Sequence, residues 1–427
     1  TPVPQRFAEQ IVVLKLCIGA DGLLRLNGHP YMGMDPFRDT APLTNCAKGG
    51  EELKLELESY IFWHFGESEI KNVEASHLAV IDQEMNDTYW DFRTVYNELV
   101  NPYADTGTKA FIKEALREAI APIDQNEEDW ERFRENARKA REILRQRVYE
   151  TDRFKLPGTI DMCAHSHLDV VFLWTHAEYV RKIGRTHANT LRLMEEFPEY
   201  LFSQSQPLTY LEMKNEFPDM YEEVKKRIRE RRWEMIGAMW VEPDCNLLSG
   251  ESFVRQILHG TLFSEEEFGI TPKTAWCPDV FGNMWSMPQI LRRCGLDYFV
   301  THKMVVWNDT NSWQKNTFWW QGPDGSRVFS VVPPTHFIGT VEPDHIMEHW
   351  EKFSDKETIG ESMYNFGWGD GGGGPDAEML EYLRRYEDFP GLPSCRPIFI
   401  EDALESMREK AVAAGDRIPV WNDELYL

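Results

Sequence analysis

Much is missing from this chain of 427 residues, and each absence narrows what it can do. No run of eighteen apolar residues exists, so no membrane-spanning helix is expected. Basic residues are scarce: 46 Lys and Arg stand against 71 Asp and Glu, for a net charge of −25. Nucleic acids and anionic membranes demand a basic face, so neither is an expected partner. No CxxC pair occurs among the seven cysteines, Cys17, Cys46, Cys163, Cys245, Cys277, Cys294 and Cys395. Their odd number and scattered spacing predict free thiols in a reducing compartment. No secretory leader pattern opens the chain, so the sequons at Asn86 and Asn308 read as chance matches. The first residue is Thr1 rather than Met, which suggests a processed or excised chain. Nucleotide fingerprints are missing too. No Rossmann pattern is present, and the single long glycine run, Gly371–Gly374, leads into Pro375-Asp376 instead of Lys-Ser or Lys-Thr. Aromatic residues, in contrast, reach 13% and include 15 Trp. Flat apolar faces with polar edges suit sugar rings, although core packing accounts for most of them.

Two regions differ in pattern. Residues 1–155 begin with short apolar alternations over 11–26 and 53–65, punctuated by Gly, Pro, Asn and Asp, which read as a β-rich unit. Helical patterning follows over 86–100 and 106–151. The stretch 127–150 is dense in Glu, Arg and Lys, as a solvated helix would be. Pro157-Gly158 marks a boundary. From 156 to 427 the pattern becomes strand–helix alternation. Strands are predicted at 159–164, 200–204, 233–241, 274–277, 298–302, 327–332, 364–368 and 397–400. Helices are predicted at 177–197, 210–229, 251–268, 287–294, 344–353, 377–386 and 403–414. Such alternation predicts an α/β fold with a parallel sheet, and seven or eight units match a distorted (β/α)7-8 barrel.

A barrel gathers the residues that follow its strands on one face. Here these are His167 and Asp169, Gln204 and Gln206, Trp240, Glu242 and Asp244, Asp279, His302 and Lys303, His336, and Asp370. His165-Ser166-His167-Leu168-Asp169 is the densest group. Side chains alternate along a strand, so both imidazoles and the carboxylate share a face. Successive residues on that face lie roughly 7 Å apart, so two adjacent groups can share a metal ion but three cannot easily do so. The pair is His165 with His167 or His167 with Asp169. A hydrogen-bonded polar strand end is the plainer alternative. Trp276-Cys277-Pro278-Asp279-Val280-Phe281-Gly282 fixes Asp279 between a rigid proline and a glycine turn, as suits a nucleophile or metal ligand. Capping of the next helix is its alternative. Arg255, on the helix that Ser249 can cap, could orient a nearby carboxylate or form a structural ion pair. His165, His167, His302 and His336 also fit a metal-dependent amidohydrolase barrel, except that no bridging Lys stands on the fourth strand.

Together these motifs resemble glycoside hydrolase family 38, the retaining α-mannosidases. His165–Trp174 carries the resemblance, with Glu178 and Arg181–Thr186, Gln204–Tyr210, Trp240–Asp244 leading to Gly250–Gln256, Trp276–Gly282, Thr301–Lys303 with Trp307-Asn308, and Phe318–Ser326. The Gly369–Pro375 loop and Asn27–Asp35 resemble its cytosolic, vacuolar and bacterial branch. The resemblance implies a zinc ion, or cobalt, held by His167, Asp169 and Asp279. It implies Asp279 as nucleophile, Glu424 as acid/base, and substrate contacts from Asp370, Trp240, Asp244 and Arg255. It implies α-mannoside oligosaccharides as substrates and a cytoplasmic location, with the vacuole as the alternative. A homo-oligomer is compatible. Phe172 stands where the family usually has Trp, and the family's fourth ligand, a His, is expected beyond Leu427, so the chain is read as a fragment. A protein that binds mannosides without turning them over is the alternative outside catalysis.

Overall fold

The computed structural model describes residues 1–60, 62–63, 67–68, 73, 75–308, 313–369 and 371–426. The amino-terminal region forms two three-stranded antiparallel sheets. In the first, β1 (Ile11–Cys17) lies between β4 (Thr40–Thr44) and β8 (Ala75–Ile81). In the second, β2 (Asp21–Leu26) lies between β3 (His29–Met34) and β5 (Leu55–Tyr60). Asn27-Gly28 closes the β2–β3 hairpin. Both residues have positive φ, as a two-residue turn matched to strand twist requires. A short antiparallel pair, β6 (Phe62–Trp63) and β7 (Glu67–Ser68), completes this part.

Three helices follow: α1 (Gln83–Val100), α2 (Thr106–Ile120) and α3 (Trp130–Leu144). Their caps are Asp82, Asp105 and Asp129, each accepting a backbone N–H of the first turn. The helix predicted over 106–151 is therefore two helices, broken before the Asp129 cap. The expected solvated helix is α3, which buries a narrow stripe of Ala137, Ala140 and Leu144.

The remaining strands form two sheets. The first is parallel: β11 (Trp233–Met235), β10 (Phe202–Gln204), β9 (Thr159–Ser166) and β17 (Glu361–Phe366), in that order. A further strand, β18 (Ser394–Pro397), pairs with the start of β9, and β10 pairs with its end. The second sheet runs β12 (Thr274–Cys277), β14 (Tyr298–Thr301), β16 (Arg327–Val331), β15 (Thr317–Gln321) and β19 (Val420–Trp421). Between strands lie α4 (His176–Glu196), α5 (Pro207–Glu216), α6 (Pro218–Arg229), α7 (Gly250–Phe268), α8 (Met287–Arg293), α9 (Pro343–Lys352), α10 (Ala377–Leu383) and α11 (Ile400–Ala414). Two short strands, β13 (Gly282–Asn283) and β20 (Leu425–Tyr426), pair antiparallel.

The fold is thus mixed α/β, and its described sheets do not close into the barrel expected from strand–helix alternation. The alternation missed β15, which occupies the edge of β16 where β17 would have to pair. A single parallel bridge, Gly339 with Phe366, spans that gap. At the other gap β11 stops at Met235, short of the predicted 233–241. Gly237 has φ +80°, outside the extended region, and one bond from Ala238 N to Thr274 O (3.1 Å) links the sheets. The helix predicted over 210–229 is also two helices. Pro218 lacks an N–H and disfavours helical backbone at Phe217, where the break falls. A large apolar cluster runs from Val95, Phe111 and Ile112 of the helices through Ile160 and Met162 of β9 to Ile400 and Leu404 of α11.

Candidate metal centre

Ladder pairing on β9 ends at Ser166, so His165 is in the strand while His167 and Asp169 lie just past it. That break separates the imidazoles. His165 is buried and its Nε2 donates to the Phe337 carbonyl at 2.6 Å. Burial holds its pKa down to about 4, so it is neutral. His167 points into a different cluster. Its Nε2 lies 3.4 Å from Asp169 Oδ1 and 3.4 Å from Asp279 Oδ2. One donor atom from each of the three groups falls within 4.8 Å of the others. Of the two pairs left open by spacing, His167 with Asp169 is the one brought together.

Asp279 arrives from β12. Pro278 turns the chain out of the strand, and α8 begins only at Met287, so Asp279 does not cap that helix. Two further residues hold it. Its backbone N–H donates to Glu242 Oε1 at 2.6 Å, and its Oδ1 is ion-paired with the buried Lys303 ammonium. Burial alone would raise the Asp279 pKa. The facing His167, then the Lys303 ammonium, outweigh it and hold the carboxyl below its usual range.

Glu242 is the residue that joins the parts. Its second oxygen, Oε2, lies 3.2 Å from His167 Nδ1. One carboxylate therefore orients the imidazole and fixes the Asp279 main chain. Burial raises the Glu242 pKa, opposed chiefly by His167. For His167, burial acts downward, but the Glu242 charge and the two aspartates carry the pKa well above the usual imidazole range. Gln206 supports this arrangement from a strained backbone at φ +67°. Its Nε2 donates to the Leu168 carbonyl at 2.7 Å, and its Oε1 accepts the Glu242 N–H at 3.2 Å.

The donor set fits a divalent cation. A borderline-soft imidazole and two carboxylates are ligands that zinc and cobalt accept. His167 Nε2 is buried, forms no hydrogen bond, and faces both aspartates. A carboxylate on the far ring nitrogen is the usual support for a metal-binding imidazole.

Among the described residues, the other predicted ones are not part of this three-residue donor cluster. Trp240 is half-buried, edge-on to Phe263 of α7. Asp244 is exposed, and its Oδ1 accepts the N–H groups of Asn246 and Leu247 in its own turn. Arg255 pairs with Glu251 one helical turn away on the exposed face of α7. Its neighbour Gln256 is the one that reaches the site loop, through a bond from Val241 N at 3.0 Å. Glu424 is exposed; its segment reaches the Asp279 loop because Leu425 and Tyr426 pair with Asn283 and Gly282. Asp370 lies outside the described residues. His302 is bonded to Asn365 Oδ1 at 3.0 Å, and His336 Nδ1 accepts the Ile338 N–H. Neither joins the cluster, nor does His165, so the amidohydrolase arrangement is not formed. Two clefts, of about 680 and 750 Å³, are lined by other residues. Glu242, Gln206 and Lys303 were legible only as strand-end polar residues, because their partners are distant in sequence.

The profile of the family described as "Glycosyl hydrolases family 38 N-terminal domain" matches residues 157–424, well over half of the chain. The chain belongs to glycoside hydrolase family 38. Among curated members, Alpha-mannosidase G of Dictyostelium discoideum is 30% identical over 99% of this chain and 40% of its own length. Alpha-mannosidase 2C1 of Homo sapiens is 37% identical over 63% of this chain and 26% of its own. The chain thus spans well under half the length of these relatives. A solved α-mannosidase from Enterococcus faecalis V583 aligns with TM-score 0.55 at 22% identity, covering 63% of this chain and 31% of that one. That likeness is one of fold. The matched residues contain every group of the donor cluster.

Proposed function

We propose that the protein is a retaining, metal-dependent α-mannosidase acting on terminal α-mannosyl residues of oligosaccharides. The observation that carries this reading is the convergence of His167, Asp169 and Asp279, with Glu242 behind the imidazole, in a family 38 chain. When bound there, zinc or cobalt supplies a Lewis-acid contact for sugar hydroxyls. Asp279 is the nucleophile. Its lowered pKa keeps it ionised, and Lys303 and the Glu242 bond hold its position. Attack forms a bond from Asp279 to the anomeric carbon as the glycosidic bond breaks. Glu424 protonates the departing oxygen, then takes a proton from the water that displaces Asp279. Retention requires the two carboxylates about 5 Å apart. The β13–β20 pairing supports Glu424 for this role by holding its segment beside the Asp279 loop. Asp370, Trp240, Asp244 and Arg255 are assigned to substrate contacts on the family resemblance.

On the same reading, residues 1–155 and 156–427 are two units, and the second is a distorted (β/α)7-8 barrel interrupted by β15. No helix among the described residues is long and apolar enough to cross a membrane. A cytoplasmic location, or a vacuolar one, and a homo-oligomer complete the proposal. The test is hydrolysis of an aryl α-mannoside followed by NMR. The full protein releases the α-anomer first, and Asp279→Asn abolishes turnover. A first-formed β-anomer overturns retention, and an active Asp279→Asn moves the nucleophile elsewhere. An inactive wild type that still binds mannosides supports the non-catalytic reading.

A further inference from the structure

The glycine run at 371–374 has the composition of a free linker, yet the structure pins it from two sides. On one side is Arg38, from the turn between β3 and β4. Its guanidinium is buried, and Nη2 donates to the carbonyls of Gly373 (2.7 Å) and Gly374 (2.6 Å). Asp35 presets that geometry. Its Oδ1 accepts the N–H groups of Phe37 and Arg38, and its Oδ2 takes Arg38 Nη1. Phe37 stacks on Trp368 at 4.8 Å, at the entry to the loop.

On the other side is Leu168, the residue between His167 and Asp169. Gly371 forms a backbone bridge with it. A side chain at Gly372 would meet Leu168 Cδ1 at 2.8 Å, so the run lies directly against that residue. Glycine is required on both counts. Gly372 and Gly374 have φ +80° and +65°, and a Cβ on Gly373 would sit 2.8 Å from Trp368 Cβ and 3.2 Å from Arg38 Nη2. The glycines thus serve close approach by the protein's own arginine and leucine.

We infer that Arg38 is a positioning residue. Through the carbonyls of Gly373 and Gly374 it presses the glycine run onto Leu168 and so holds His167 and Asp169 in register to share a cation. The inference rests on the reading of His167 and Asp169 as ligands. It makes the amino-terminal region part of the site, although its nearest residue here lies 129 positions before His167 (167 − 38).

The test uses the full protein with Arg38→Met, Arg38→Lys and Gly373→Ala. Two quantities are read: Co²⁺ affinity by visible absorption, and amide hydrogen exchange at 371–374. In Arg38→Met, exchange of the Gly371 and Gly374 amides rises at least tenfold and Co²⁺ affinity falls about tenfold. Exchange across β1 and β4 stays unchanged. Arg38→Lys keeps the charge on Asp35 but has no planar fork, and recovers only part of the affinity. Gly373→Ala disturbs the same contact from the loop side, and its effect is non-additive with Arg38→Met. Should Arg38→Met fail to fold, Gly373→Ala decides alone. Affinity within twofold of wild type, or unchanged loop exchange, overturns the inference. Should the wild type take up no Co²⁺, the ligand reading fails and the proposed register of His167 and Asp169 fails with it. The exchange data then decide only whether Arg38 pins the loop.

Discussion

Glu242 shows how one side chain can decide the state of several others. Its two oxygens face different partners, His167 Nδ1 and the Asp279 N–H. Glu242→Gln keeps the size and an acceptor for Asp279, but removes the charge that orients the imidazole. Divalent-ion affinity should fall by about 10–100-fold, the usual cost of losing such a support. Competition against a chromophoric zinc chelator measures it, and wild-type affinity would show that packing alone orients the ring. Residue-level reading offered His165, His167, Asp169 and Asp279 as candidates because each stands in a local motif, and the family resemblance chose His167 with Asp169. It could not find the partner of His167 Nδ1, since nothing in a sequence says which of many glutamates folds back onto a given ring. Arg255 shows the converse. Its position beside the site loop suggested a contact, but side chains of neighbouring helical residues face different ways, and Gln256 makes the contact instead.

Among the elements, α1 carries the clearest titration. Glu98 is buried near its end, bonded to Asn101 Nδ2 at 3.0 Å, and burial pushes its pKa up to about 8. The unfolded value is near 4.5. Between these values the folded chain retains a proton that the unfolded chain has released, so stability falls as pH rises through that window. Glu98→Gln should flatten the profile and exceed wild-type stability above pH 8 in urea titrations. An unaltered slope from pH 5 to 8 would assign the proton elsewhere. Elements were legible where periodicity was long, as in α4, α7 and α11. They were misread where a single residue interrupts the pattern, at Pro218 and Gly237, and where an antiparallel strand, β15, enters an otherwise parallel order.

For the whole molecule, a cation that binds only the folded chain links the site to global stability. At a hundred times its dissociation constant it adds about 2.7 kcal/mol. Zinc or cobalt should therefore raise the melting temperature, a chelator should reverse the shift, and His167→Ala should abolish it. A shift that survives in His167→Ala would place the ion at another site. The three groups of the cluster follow strands of two separate sheets, β9 in one and β12 in the other, so an ion bound there would also tie those sheets together where the ladder does not.

What the sequence determined by itself was the chemistry available. Charge argued against nucleic acid, strand–helix alternation predicted an α/β class, and the ordered motifs resembled family 38, a resemblance that implied His167, Asp169 and Asp279 as donors. These are local properties, set by residue type and spacing along the chain. Tertiary structure decided which groups meet. It turned His165 onto Phe337, put Glu242 behind His167, left the sheets open at β15, and placed Arg38 on the glycine run. Each of those contacts joins segments far apart in sequence, and their pairing is fixed by packing and by satisfaction of buried polar groups, which no local pattern encodes.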